Sequence, residues 1–142
     1  MNKKSVPNIY IYKQIVDAKL FIDANFQKKI DLETIATKAC FSKFHFHRVF
    51  KECYKKTPLE YLTHLRLNES KILLSQGFSI QEVCYSVGFE STSSFIKLFK
   101  KNELVTPMVF SKTAKTKREK LNESPLSYIP INYARYLGWR TK

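Results

Sequence analysis

Glycine is close to absent from this chain: Gly77, Gly88 and Gly138 are the only three among 142 residues. That excludes a glycine-rich loop cradling a nucleotide phosphate, which needs several glycines within a few residues. No HExxH or CxxC spacing occurs, and His45 and His47 stand two apart, which on a helix points them to different sides. The scattered Asp and Glu show no pairing suited to acid–base work. An enzyme is therefore not expected, and nothing asks for a cofactor or a metal. Cysteine is scarce as well. Cys40, Cys53 and Cys84 are odd in number and widely spaced, each where a small apolar residue would pack. They read as reduced core residues of a cytosolic protein, not as a disulfide framework. No apolar run approaches the length of about 18 residues that a membrane-spanning helix needs. The opening stretch MNKKSVPNIYIYKQ is basic but lacks the apolar core and the small-residue cleavage site of a secretory signal. Cytoplasm, or nucleoid, is the expected location.

Negative charge is the other shortage. Twelve Asp and Glu face 25 Lys and Arg, a formal net charge of +13. A balance this basic points to a polyanionic partner, most often nucleic acid and less often an anionic membrane surface. Charge alone does not choose between them.

What the chain does have is a long helix with both ends marked. In Thr57 to Gly77, Thr57 is a good N-cap, Pro58 suits the first helical position, Glu60 completes a capping box and Gly77 supplies the stop. Leu59, Leu62, Leu65, Ile72 and Leu73 recur at three- to four-residue spacing, which predicts one apolar face lying against both neighbours.

Those neighbours repeat each other. Ser42, Phe46, Val49, Phe50, Lys51, Thr57, Pro58 and Tyr61 return 49 residues later as Ser91, Phe95, Leu98, Phe99, Lys100, Thr106, Pro107 and Phe110. Upstream, Leu32, Ile35, Ala36, Ala39 and Phe41 return 48 residues later as Ile80, Val83, Cys84, Val87 and Phe89. Apolar positions that match on either side of a one-residue change at a turn are what a duplicated helix-turn-helix unit leaves behind.

In chain order, residues 1–7 read as a frayed tail. An amphipathic helix from Asn8 to about Lys29 should lid the first lobe, with Tyr12, Val16 and Leu20 widening its apolar face. Asp31 caps a helix to about Ala39, and Ser42 caps a second to about Lys55. Beyond the long helix, Ser79 with Glu82 opens a helix to about Val87, Gly88 occupies the turn, and Ser91 caps a helix to about Glu103. A last short helix runs from Pro107 to about Thr113. The expected fold is all-α: two helix-turn-helix subdomains joined by a long central helix. The expected boundaries are a first lobe at 8–56, a linker helix at 57–77 and a second lobe at 78–115. Residues 116–142 form a basic, aromatic tail that reads equally as a flexible arm, a segment folding back, or the stub of a further domain.

In the helix from Ser42, Phe46, Val49, Phe50 and Cys53 share an inward side, while Phe44, His47, Arg48 and Lys51 face out. An outward set of aromatic, imidazole, guanidinium and ammonium groups suits a major groove: Arg bonds a guanine edge bidentately, His bonds base acceptors, and an aromatic presses on a thymine methyl. The second unit has Phe95, Leu98 and Phe99 inward, with Thr92, Ser93, Ile96, Lys97 and Lys100 outward. This face is poorer for base reading and leans on phosphates. Lys43, Lys55, Lys56, Arg66 and Lys71, with the helix N-termini at Asp31, Ser42, Ser79 and Ser91, are further phosphate candidates. The bland alternative for any single lysine is solvated surface.

Residues 9–112 resemble the DNA-binding region of the AraC/XylS family of bacterial transcription regulators. The segments FSKFHFHRVFKECYKKTPLEYLTHLRLNESKILL and SIQEVCYSVGFESTSSFIKLFKKNELVTP carry the likeness, the second through Gly88–Phe89, Phe99–Lys100 and Thr106–Pro107. The resemblance implies monomeric engagement of two major-groove segments of double-stranded DNA and activation through RNA polymerase. By position it assigns base reading to Phe44, His47 and Arg48, and to Thr92, Ser93 and Lys97. The family's usual glycine before x-Thr-Pro is replaced by Lys55 and Leu104, so those two turns are expected to be built differently. With no room for a sensor domain in this length, the chain looks like a stand-alone member, or one whose effector part follows the DNA-binding part. Two other readings stay open: a low-specificity or architectural nucleic-acid binder, and a basic helical adaptor for an acidic partner.

Overall fold

A computed structural model describes residues 9–123, 129–136 and 138. The aromatic tail is thus described only in part, and Trp139 lies outside the described residues, as do residues 1–8 with the expected frayed tail. All regular structure among the described residues is helical. The elements are α1 (Ile9–Asn25), α2 (Leu32–Lys38), α3 (Lys43–Tyr54), α4 (Pro58–Gln76), α5 (Ile80–Ser86), α6 (Thr92–Glu103), α7 (Pro107–Glu123) and α8 (Ile131–Tyr136).

The local signals act as their chemistry dictates. Thr57 accepts from Glu60 N while Glu60 Oε2 accepts from Thr57 N at 2.8 Å, and Ser79 with Glu82 repeats the arrangement. These bonds hold both carboxyls below the usual glutamate range: for Glu60 chiefly the backbone NH of Thr57, for Glu82 chiefly the Ser79 hydroxyl. Asp31 caps α2 through Thr34 N at 2.8 Å. Ser42 has cap-like backbone angles, but its hydroxyl makes no cap bond, so the first NH groups of α3 stay open.

Two cores form, one around each end of α4. The first gathers Ile15, Ala18, Ile22, Ile35, Ala36, Ala39, Phe46, Phe50 and Leu62. The second gathers Leu67, Leu74, Val83, Cys84, Val87, Phe89, Phe95 and Phe99. The aromatic pairings repeat with the sequence: Phe46–Phe50 at 5.5 Å and Phe50–Tyr61 at 5.8 Å return as Phe95–Phe99 at 5.7 Å and Phe99–Phe110 at 5.6 Å. So do the turn bonds, Phe41 N to Ala36 O and Phe89 N to Cys84 O, both 3.0 Å.

Several expectations need correction. The linker helix has no single apolar face: it buries Leu62 in one core and Leu67 and Leu74 in the other, leaving Leu59 and Ile72 about half exposed. A helix that serves two cores turns different sides to each. On α1, Tyr12, Val16 and Leu20 face solvent, and the helix ends at Asn25, short of Lys29. Cys40 and Cys53 are exposed, and only Cys84 is a core residue. Val49 is half-buried. α7 is not short. It runs on through the charged stretch to Glu123 because Lys, Arg and Glu are good helix formers. Arg118 Nη1 pins it to Ser75 O at 3.0 Å, and Lys115 pairs loosely with Glu119 one turn on.

The two turns lacking glycine keep the left-handed backbone regardless: φ is 59° at Lys55 and 63° at Leu104. Lys55 N bonds Lys51 O at 2.9 Å, and Leu104 N bonds Lys100 O at 3.0 Å. The expected difference in construction is absent, because the chain tolerates a strained side-chain-bearing residue where glycine would be relaxed. Leu104 is 85% exposed, so replacing it forfeits no burial. Leu104→Gly should stabilise by about 0.5–1 kcal/mol, the left-handed penalty less the extra chain entropy of glycine. A thermal melt of the two proteins checks this as a rise of a few degrees.

Candidate nucleic-acid interface

α3 and α6 are built alike: each has twelve residues, each puts two phenylalanines at its base, and each ends in a left-handed residue. Phe46 and Phe50, then Phe95 and Phe99, are fully buried, so each helix is bolted to its core by one side and free on the other. The free side of α3 carries Lys43, Phe44, Arg48 and Lys51, all exposed, with His47 half-buried beside them. Phe44 is 88% exposed, a large apolar ring held in water with no core to serve.

On α6, Ser93, Lys97 and Lys100 are exposed. Thr92 is half-buried. Ile96 is also half-buried and packs against the second core, so its outward share is smaller than its helical position implies. Among the described residues Arg48, Lys51, Lys97 and Lys100 form no ion pair; Lys43 reaches Glu33 only at 3.9 Å.

The turn that ends α3 and the C-terminal half of α6 meet over one face of the linker. An open cleft of about 580 Å³ is walled by Lys55 and Lys56 from the end of the first unit and by Leu98, Lys101 and Asn102 of α6, with Leu59, Glu60, Thr63 and His64 of α4 as its floor. The C-terminal ends of α3 and α6 therefore approach the same side of α4. No group of three or more His, Cys, Asp or Glu able to hold a metal occurs among the described residues. Nor is any described helix long and apolar enough to cross a membrane.

Two of the phosphate candidates are committed elsewhere. Arg66 gives Nε to Phe26 O at 2.7 Å and Nη2 to Lys28 O at 2.8 Å. Lys71 pairs with Glu103 at 3.0 Å, tying the last turn of α6 to α4. The sequence signal for Arg66 was its place between Leu65 and Leu67, where an isolated guanidinium in an apolar stretch asks for buried acceptors.

Comparisons with known proteins agree with this architecture. A family model described as "Helix-turn-helix domain" matches residues 35–113. The "bifunctional transcriptional activator/DNA repair enzyme AdaA" of Bacillus subtilis is 34% identical over 96 residues, covering 67% of this chain and 46% of AdaA. The "probable transcription factor PqrA" of Proteus vulgaris is 38% identical over 82 residues, 57% of this chain and 67% of PqrA. Against YdeC of Bacillus subtilis the chain spans 32% of the relative's length, so it covers about a third to a half of two of these relatives. Among solved structures, the AdpA DNA-binding domain crystallised with a target DNA superposes with a TM-score of 0.72 at 22% identity, covering 75% of this chain and 96% of that one. An AraC-type regulator from Chromobacterium violaceum gives 0.66 at 25% identity, with the same coverages. By the match across 35–113 and these neighbours, the chain belongs to the AraC/XylS-type helix-turn-helix family.

Proposed function

We propose that this chain is a sequence-specific DNA-binding transcription regulator, acting chiefly as an activator. It binds as a monomer and reads two adjacent major-groove segments with helices 42–55 and 91–103, that is, with α3 and α6. The observation that carries the reading is that the turn ending α3 and the C-terminal half of α6 meet over one face of α4, while both helices keep polar and cationic sides free. The 19 residues of α4 at about 1.5 Å rise make a spacer of roughly 28 Å. Successive major-groove faces repeat at about 34–36 Å, and the outward offset of each helix narrows the gap, the rest being met by bending the duplex. Names among the relatives, and the DNA in the AdpA crystal, point the same way. Contact with RNA polymerase follows from the family resemblance and belongs to this proposal, as does the assignment of residues 8–115 to DNA binding.

Arg48 on α3 is assigned direct base readout with Phe44 and His47; Thr92, Ser93 and Lys97 serve α6, and Lys43, Lys51, Ile96 and Lys100 support them. Selection of bound sites from random duplex tests the whole reading: two boxes about one helical turn apart are expected. Affinity for the selected site should exceed that for random duplex by about 10³-fold or more. Equal affinity for both would favour a low-specificity architectural role instead. On the selected site, Arg48→Ala should cost about 1–3 kcal/mol, confined to one base pair, while Lys51→Ala weakens all duplexes alike and lowers the salt slope by about one.

A further inference from the structure

We propose that Arg66 is a positioning residue for DNA reading: by gripping the 26–29 loop of the first lobe beside the turn of the second, it sets the register between α3 and α6 and so the half-site spacing the chain accepts. The inference rests on the function proposed above.

Arg66 stands near the middle of α4, between the two cores. Its planar fork donates to two backbone carbonyls of the α1–α2 connection, Phe26 O at 2.7 Å and Lys28 O at 2.8 Å. The same guanidinium sits 5.6 Å from the ring centroid of Phe89, a residue of the second core. One side chain therefore touches both lobes.

The contact continues on either side. Lys29 pairs with Glu90 at 2.8 Å across the same gap. At Gly88 a Cβ would stand 2.7 Å from Gln27 O and 2.9 Å from Phe26 O, so the two backbones approach as closely as glycine permits. Residues 88–90 are the turn that delivers Ser91, the cap of α6. Whatever holds that turn against the first lobe aims α6.

A single helix cannot do this alone. It fixes separation along its axis, but helices bend, and each lobe can tilt about its end of the rod. A side-to-side clamp removes the tilt. Two charge-assisted bonds from one rigid fork specify angle as well as distance, which a lysine at the same place could not match.

The test uses the full chain with Arg66→Met and Arg66→Lys, and Glu90→Lys as an exposed change that leaves both cores untouched. Affinity is measured on duplexes carrying the selected boxes at spacings stepped by single base pairs, and on a duplex with the first box alone. Circular dichroism establishes that each variant is folded. Spin labels at Cys53 and position 81, in a Cys40→Ser, Gln81→Cys background, report the distance between lobes without DNA.

For Arg66→Met, first-box affinity should stay within about twofold while affinity at the preferred spacing falls about tenfold, since a looser link lowers the effective concentration of the second lobe. Neighbouring spacings should lose less, flattening the profile, and the distance distribution should broaden. Arg66→Lys should fall between, and Glu90→Lys should flatten the profile by about threefold. An unchanged spacing profile, an unbroadened distance, or equal losses on one-box and two-box duplexes overturns the proposal. If the unsubstituted chain fails to distinguish selected from random duplex, the reading of function fails and the spacing role with it, whereas the label distances still report whether Arg66 is the clamp.

Discussion

Phe99→Ala should abolish the second lobe while leaving the first folded. Phe99 has no exposed surface, and its ring lies 5.7 Å from Phe95 and 5.6 Å from Phe110, so truncation leaves a hole at the point where α6 meets α7. Large-to-small changes at such aromatic sites cost about 3–5 kcal/mol. Whole domains are stable by only about 5–15 kcal/mol, and half of a two-core chain has less in reserve. The second core is also the smaller: eight buried residues with five partly buried around them, against nine with ten, among the described residues. Hydrogen exchange should find protection lost in α5 and α6 and kept in α2 and α3. On the two-box site the variant should behave as a one-box binder. Uniform loss of protection across both lobes would mean that α4 couples them into one cooperative unit.

The elements most legible in the sequence were those with an independent local cause. Caps, capping boxes and the glycine stop bound α4 and α5 closely, because each is decided by a side chain bonding its own backbone within three residues. The repeat supplied the architecture, since matched apolar positions at two offsets demand matched cores, and the phenylalanine pairs at the base of α3 and α6 honour it. What failed depended on partners distant in sequence. Periodicity gives α4 one face, but a helix between two cores buries Leu67 and Leu74 on a side the pattern does not distinguish. Cys40 and Cys53 look like core residues by type and are not, because one sits in the tight turn and the other at the rim of a shallow groove between α3 and α1.

For the candidate site, the outward residues of α3 were legible from helical geometry alone. Those of α6 were less so. Ile96 is drawn half inward by the second core, and Thr92 is half-buried. Arg66 ranks only as one phosphate candidate among several by sequence, because its acceptors lie some forty positions earlier in the chain, where no local pattern can announce them. Lys55 and Leu104 mislead for the opposite reason. Replacing glycine looks like a change of turn, yet both residues adopt the left-handed backbone with the bond to the carbonyl four residues back intact.

Gly88→Ala should be the most damaging of the three glycine-to-alanine changes, and comparison with Cys40 separates its two causes. Cys40 is the matching residue of the first unit and has φ of 57°, against 93° at Gly88. The first turn therefore carries a side chain in the left-handed region at an expense of about 1–2 kcal/mol and folds nonetheless. Cys40→Gly should relieve part of that, raising stability by about 0.5–1 kcal/mol. If conformation alone required glycine at position 88, Gly88→Ala would reverse the same small amount. It faces a second obstacle, the carbonyls of Phe26 and Gln27 within 3 Å of the new carbon, and backbone cannot swing aside as a side-chain tip can. Forcing a methyl into a filled space adds about 1–3 kcal/mol, for a total of roughly 1.5–4 kcal/mol. The chain can respond by unfolding the turn or by parting the lobes. Denaturant titration measures the first, and a flattened half-site spacing profile in a folded Gly88→Ala protein measures the second. A loss no larger than the gain from Cys40→Gly would show that the lobes part freely, and that their contact orients nothing.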